Sequence, residues 1–467
     1  MRSFSRNKDM DMTTGRLLPK LLAFAVPLAL SGVLQLLFNA VDLIIIGNFS
    51  ETRVISLAAV SSNNSLINLF VNVAIGISLG VNVVMAQAIG AGNAEKAERT
   101  VHTAMLLSLV IGLAVMAIGT IGAKQFLVWM NANPEVFDKA HTYLFIYFFG
   151  APANVVYNFG AALLRAKGDT RRPLLYLTIA GVTNVVLNVL LVIPGKMDVA
   201  GVAIATVVSQ YISALLVVIA LMREKGMLKL TLKKLRFHAA ELKNILRIGL
   251  PSGILSSFFS VANIIIQSSI NTFSAAVIAG NATGISIEAF IYISMNAVAG
   301  TASTFSGQNF GAGKYKRIKR VMLYCCLIEA VIGILLGTLF MLLRHKLAAL
   351  YTNDPEVILV AGKRMMVILP FYFVCGVVEV LVGCMRGMNY ALLPTAASFV
   401  SVCVYRIVWV YTYFRTHTTP RSLWMSYPFS WLINFAIDLV MILFVFRRVY
   451  RLGVKKGETG ESLIADE

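Results

Sequence analysis

The chain has 467 residues, of which 58% are hydrophobic and only 13% charged. A water-soluble surface needs about a quarter of its residues charged, so composition excludes a soluble globular protein. The net charge of +19 does not point to nucleic acid, because the basic residues sit in short segments between apolar runs and no aromatic–basic module interrupts them.

In chain order, residues 1–20 are a charged leader with no cleavage motif and read as a cytoplasmic tail. Twelve apolar runs follow, at about 21–47, 55–86, 102–130, 140–164, 173–194, 199–222, 245–270, 276–308, 322–343, 358–385, 394–414 and 427–446. Each is near or above the roughly 20 residues that cross a bilayer core, and the longest imply tilt or bending. The expected fold is an all-α membrane protein with twelve transmembrane helices in two six-helix bundles, 21–222 and 248–446. A basic segment, 223–247, joins them, and residues 447–467 form a polar tail. The Leu/Lys alternation of the joining segment reads as an amphipathic helix at the inner membrane surface. Lys and Arg are in threefold excess on one side of this topology, which places both termini in the cytoplasm.

The halves repeat. Gln87, Gly90 and Gly92 return as Gln308, Gly311 and Gly313 at an offset of 221 residues, as do Pro134-Glu135 in Pro355-Glu356 and Leu164-Arg165 in Met385-Arg386. Six spans per repeat is an even number, so both halves enter from the same side, a parallel repeat.

Charges inside the spans are the candidate functional groups, because they are expensive in hydrocarbon. Asp42 lies in the outer part of span one. Asn184 and Asn188 share a face of span five, and Thr206 lies at comparable depth in span six. Together they offer one carboxylate and three neutral oxygen donors, suited to a hard cation or a proton-linked network. The alternative is that Asp42 only hydrogen-bonds a neighbour. In the second half Glu288, Glu379, Arg406 and Asp438 are intramembrane. They either fix packing, or Arg406 and a carboxylate line a cavity and exchange partners, which leaves room for anionic or zwitterionic substrates. Gly76 and Gly80 read as a close helix approach. The five cysteines read as packing residues, and no metal spacing or nucleotide loop is found. The chain is therefore read as a gradient-driven transporter, not an enzyme or an ATPase.

The paired Gln-x-x-Gly-Ala-Gly turns, Asn39 with Asp42, the run 164–169 (Leu-Arg-Ala-Lys-Gly-Asp) and the turn 308–314 resemble the multidrug and toxic compound extrusion (MATE) transporters over nearly the full chain. That resemblance implies a bacterial inner-membrane exporter with two lobes forming a V, exchanging organic small molecules for Na⁺ or H⁺. It implies no further cofactor, no nucleic acid, contact with membrane lipids, and a monomer. Relatives of the DNA-damage-inducible type carry an Asp on span one, an Asn and an Asp on span five and a Thr on span six. Asp42, Asn184 and Thr206 match these, while Asn188 replaces the second acid, limiting the site to one carboxylate. The span-seven Glu of vibrio-type relatives is Ser260 here, so that Na⁺ site is not carried over. A lipid or lipid-linked oligosaccharide flippase of the same broad superfamily is the alternative.

Overall fold

The computed structural model describes residues 10–50, 52–130 and 132–455. Their regular structure is entirely helical, with no strand among them. Eleven helical segments are long and apolar enough to cross a membrane. The twelfth crossing is made of two shorter helices, α4 (Pro134–Phe149) and α5 (Ala151–Ala166), which meet at Gly150. Pro152, in the first turn of α5, has no N–H to carry the helix through, which explains why this span is broken.

The remaining helices of the first half are α1 (Leu17–Phe49), α2 (Arg53–Gly90), α3 (Ala94–Trp129), α6 (Arg171–Val192) and α7 (Asp198–Arg223). The second half contains α8 (Ala239–Ile270), α9 (Ala275–Gly311), α10 (Tyr315–Leu342), the short α11 (Arg344–Ala349), α12 (Pro355–Ile368) and α13 (Tyr372–Gly387). It ends with α14 (Leu392–Ser398), α15 (Tyr405–Tyr411), α16 (Tyr413–Thr416) and α17 (Pro420–Lys455). A π-helical stretch, Phe399–Val404, joins α14 to α15.

Two compact units emerge, and their boundaries fall inside helices. One takes Leu30–Gly253, the other Asp11–Ala29 and the chain from Ile254 onward. The divisions lie two or three residues after Pro27 in α1 and Pro251 in α8, where a helix-interior proline removes a hydrogen bond and permits a bend. The opening part of α8 therefore packs in the first unit. A Cβ on Gly76 would lie 2.3 Å from the Gly253 Cα, and one on Gly80 2.3 Å from the Ile245 carbonyl oxygen. In the second unit, the opening part of α1 sets Phe24 edge-on to Phe305 at 5.7 Å.

The sequence repeat is also a repeat of caps. After α2 the amides of Ala91, Gly92 and Asn93 bond to the carbonyls of Gln87, Ile89 and Ala88. After α9 those of Ala312, Gly313 and Lys314 bond to Gln308, Phe310 and Asn309. Gly92 (φ +62°) and Gly313 (φ +74°) hold the left-handed conformation that ends each helix, a position where a side chain is penalised. Pro134 and Pro355 open α4 and α12 behind the side-chain caps Asn133 and Asp354.

Both basic loop motifs fasten neighbouring chain. Asp169 accepts the amides of Arg171 and Arg172 at the start of α6, while Lys167 (2.8 Å) and Arg172 (2.5 Å) grip Glu224 at the end of α7. Burial alone would raise the Glu224 carboxyl, but the hydrogen bonds from Lys167 and Arg172 hold it below the usual range. In the second unit Asn309 and Lys314 donate to the carbonyls of Met12 (3.1 Å) and Thr13 (2.9 Å). Arg317 donates to those of Thr14 and Gly15. Met12 is completely buried there.

The joining segment is not one amphipathic helix: residues 224–238 lie outside any α-helix, and 239–247 open α8. Two single 3₁₀ turns, Gly226–Leu228 and Leu232–Lys234, precede α8. Leu228 and Leu230 are buried and Lys229 between them exposed, because alternation at period two suits extended chain and not a 3.6-residue helix. The amide of Thr231 is anchored on His102 Nε2 at 3.1 Å.

A Gly76→Val substitution should destabilise the first unit by about 1–3 kcal/mol or more, since backbone and not a pliable side chain faces the new atoms. Thermal unfolding of the purified protein in detergent measures it, compared with a Gly47→Ala control, where the added Cβ would meet only ordinary contacts from Leu57 at 3.7 and 3.9 Å.

Candidate functional site

The polar site of the first unit follows from one helix contact. Gly181 of α6 has no side chain, and the Phe38 ring of α1 fills the space a Cβ would take, at 1.8 Å from its position. One turn on from Phe38 is Asp42, and one and two turns on from Gly181 are Asn184 and Asn188. Residues three, four and seven apart share a face, so seating Phe38 on Gly181 brings the carboxylate to the amides.

All four residues singled out in this half are brought together. Asn188 Nδ2 donates to Asp42 Oδ1 at 2.5 Å and lies 3.2 Å from Asn184 Oδ1. Asn184 Nδ2 reaches Thr206 Oγ1 at 3.4 Å, and Thr206 passes its own proton to the Val202 carbonyl at 2.9 Å. Asn188 is 0% exposed and Asn184 3%, while Asp42 is only partly buried. The Asn188 side-chain oxygen is buried with no donor. An unpartnered carbonyl oxygen beside a carboxylate costs free energy as it stands and is a ready ligand for a small hard cation. A small cavity at the α4–α5 break, bounded by Phe70, Val115, Tyr147, Phe148 and Asn154 among others, is lined by none of the four.

The four charges singled out in the second half do not form one network. Glu288 is buried and receives a two-pronged contact from Arg364, Nε to Oε1 at 3.1 Å and Nη2 to Oε2 at 2.9 Å. Arg364 Nη1 also donates to Asn281 Oδ1 at 2.8 Å, as does Trp424 Nε1 at 3.1 Å. Arg406 is buried against neither Asp438 nor Glu379. Its Nε donates to Ser430 Oγ at 3.0 Å, and its guanidinium lies over the Tyr427 ring at 4.1 Å. Asp438 is fully buried with both oxygens unpartnered, and Glu379 is partly buried.

Two buried charges lie outside those singled out from the sequence. Arg364 stands beside Lys363 near the start of span ten, yet α12 begins at Pro355 and carries it into the interior, 2% exposed. Glu329 is a lone acid in the apolar stretch 325–343, the sequence signal that marks it. It is fully buried in α10 with both oxygens unpartnered, and one of them lies 2.4 Å from where a Cβ on Gly376 would be. No group of three or more His, Cys, Asp or Glu side chains among the described residues is arranged to hold a metal.

A twelve-span chain built twice from one plan, with its polar groups inside each unit, is the architecture of a secondary membrane transporter. The MatE family model matches residues 27–190 and 251–412, one stretch in each half, and the chain belongs to that family of multidrug efflux transporters. It is 28% identical over 440 residues to the probable multidrug resistance protein YoeA of Bacillus subtilis, covering 92% of this chain and 93% of that one. It is 26% identical over 379 residues to the FAD transporter of Shewanella oneidensis, covering 80% and 82%. Among solved structures, an outward-facing MATE family transporter of the MOP superfamily superposes with a TM-score of 0.86 at 21% identity, over 96% of this chain and 99% of that one. A MOP superfamily transporter from Pyrococcus furiosus, described as having a binding pocket of reverse polarity, superposes at 0.85 with 21% identity and the same coverage. At that identity the likeness shows the fold alone.

Gly181→Val should displace Phe38 and part Asp42 from Asn188, lowering stability by about 1–3 kcal/mol through overpacking. Phe38→Ala in the Gly181→Val background should restore part of the loss, a coupling that a double-mutant thermal-unfolding cycle reads. Glu288→Gln, which strands Arg364, should cost about 3–5 kcal/mol in the same assay.

Proposed function

We propose that the chain is an ion-coupled antiporter that exports organic small molecules across a bacterial cytoplasmic membrane, with both termini in the cytoplasm, and that Asp42 carries the coupling ion, H⁺ or Na⁺. The observation that carries this reading is the Asp42–Asn188–Asn184–Thr206 chain. It has one acid, three neutral partners, and a buried amide oxygen with nothing to bind. The family and its bacterial multidrug-resistance relatives support the direction and the kind of cargo.

Asp42 is the only group of the four that changes charge. Empty, its carboxylate is held by the Asn188 amide. A proton on Asp42 removes the charge that Asn188 solvates and turns the acid into a donor. A sodium ion would cancel the same charge and draw the Asn188 and Asn184 oxygens and the Thr206 hydroxyl toward itself. Either ion replaces a charged, amide-solvated state of the first unit with a neutral one. An ion shifts a conformational equilibrium only by its differential affinity for the two states, and this change of charge is the source of that difference. Asn188 in place of a second acid limits the site to one elementary charge per cycle.

In proteoliposomes, efflux of fluorescent dyes of either charge, under a pH gradient or a Na⁺ gradient imposed separately, should respond to one of the two, which identifies the ion. Asp42→Asn should lose gradient-driven efflux by more than about tenfold, the scale on which coupling between sites typically acts, and still unfold cooperatively. Asp42→Glu should retain part of it. Wild-type efflux from Asp42→Asn would sink the assignment.

A further inference from the structure

We infer that Arg406 is a recognition point for an anionic group, a carboxylate or a phosphate carried on an aromatic body, so that the cargo of this transporter includes organic anions. The inference rests on the reading of the chain as an exporter and concerns the second unit only.

Arg364 and Arg406 flank the same ring, Tyr427, at 5.3 and 4.1 Å from its centroid, but their charges are treated differently. Arg364 is cancelled by the two-pronged contact from Glu288, and its remaining donor is taken by Asn281. Arg406 has no carboxylate within ion-pair distance among the described residues. Its one hydrogen bond is from Nε to Ser430, and its two terminal nitrogens have no protein acceptor, although the residue is only 6% exposed. The fold contains acids that could have served. Among the described residues Glu329 and Asp438 are buried with no hydrogen-bond partner, yet neither pairs with Arg406. An uncompensated guanidinium in an apolar interior is costly, and a π face offsets only part of that cost.

The backbone around Arg406 is also specialised. It follows the π-helical stretch Phe399–Val404 by two residues. Such stretches are rare in helices and cluster at functional positions. The wider turn re-aims Arg406 at α17, where Tyr427 and Ser430 lie one turn apart. With its Nε and one face occupied, the guanidinium keeps its terminal edge for a partner. That edge is a planar pair of N–H groups matched to two oxygens of a carboxylate or phosphate. Tyr427 is partly exposed, and it meets Trp431 at 6.2 Å, which in turn meets Tyr372 at 5.3 Å. Tyr372 and Trp431 are buried and fix that row, so the partly exposed Tyr427 ring is the one that would receive the aromatic body of the ligand.

The test is a binding measurement on the full-length protein in detergent, with thermal unfolding followed by light scattering. The probes are phenyl phosphate, the neutral benzyl alcohol and the cation benzyltrimethylammonium, each at about 10 mM, enough to register a millimolar site. Short-chain phosphatidylglycerol serves as a lipid source of the same phosphate chemistry. Phenyl phosphate should raise the unfolding temperature of the wild type well above the other two ring compounds. The shift should be reduced in Arg406→Lys, which keeps the charge without the fork, and lost in Arg406→Gln. No shift in the wild type, equal shifts for all three ring compounds, or an undiminished shift in Arg406→Gln would overturn the inference. So would stabilisation by phosphatidylglycerol alone, which makes the site a headgroup anchor. Should Arg406→Gln fail to fold, the wild-type ranking and Arg406→Lys still decide. Because binding is read without transport, its failure is separable from failure of the coupling assignment at Asp42, which rests on efflux.

Discussion

A charge inside an apolar helix bundle has no water to solvate it, and most of what is specific about this protein follows from how its buried charges are accommodated. Three arrangements recur. Arg364 and Glu288 cancel one another through two parallel hydrogen bonds. Asp42 is solvated by an amide that is itself held by a second amide and a hydroxyl. Arg406 rests on an aromatic face. The desolvation penalty is several kcal/mol per ion, of the same order as the whole stability of a folded domain. Each arrangement therefore dictates where its helices sit. The Phe38–Gly181 contact, which has no polar atom in it, is the clearest case, because it sets the α1–α6 distance at which Asp42 can meet Asn188.

The two halves show duplication of a scaffold with divergence of its interior. Helix ends are copied closely: the same three capping bonds after α2 and α9, the same left-handed glycine, and the same Pro-led helix behind a side-chain cap. Ends are where backbone groups must be satisfied whatever the helix carries, so they tolerate little change. Interiors need only be filled and neutralised. The first unit does so with a single acid among amides and hydroxyls. The second carries several acids and arginines, two of those acids without a hydrogen-bond partner among the described residues.

On the proposed reading this divergence separates two tasks. A single titratable or cation-binding carboxylate, connected by short side chains to two other helices, is a suitable place for a small ion to act on the packing of one unit. An arginine with an unused edge beside aromatic rings is a suitable place for cargo. The half-helix exchange at Pro27 and Pro251 is relevant to both, since it gives each unit a segment belonging in sequence to the other and places a helix-interior proline at each crossover.

Much of this was legible in the sequence. Hydrophobicity, span length and the offset repeat dictated a twelve-span duplicated membrane protein. Depth counting along spans one, five and six assembled Asp42, Asn184, Asn188 and Thr206, because helical rise is regular enough to turn residue number into depth. Pairing was decided only by tertiary structure. Which acid meets which arginine depends on helix rotation and on side-chain-free positions such as Gly181, and neither is written in composition. Hence Glu288 joined Arg364 instead of Arg406, Glu329 and Asp438 were left without a hydrogen-bond partner, and the Leu/Lys stretch before α8 took two 3₁₀ turns linked by extended residues. Sequence determines which charges must be buried here; the packing of helices on one another determines what each finds when it arrives, because a contact of a few ångströms is set by rotation and crossing distance, not by position along the chain.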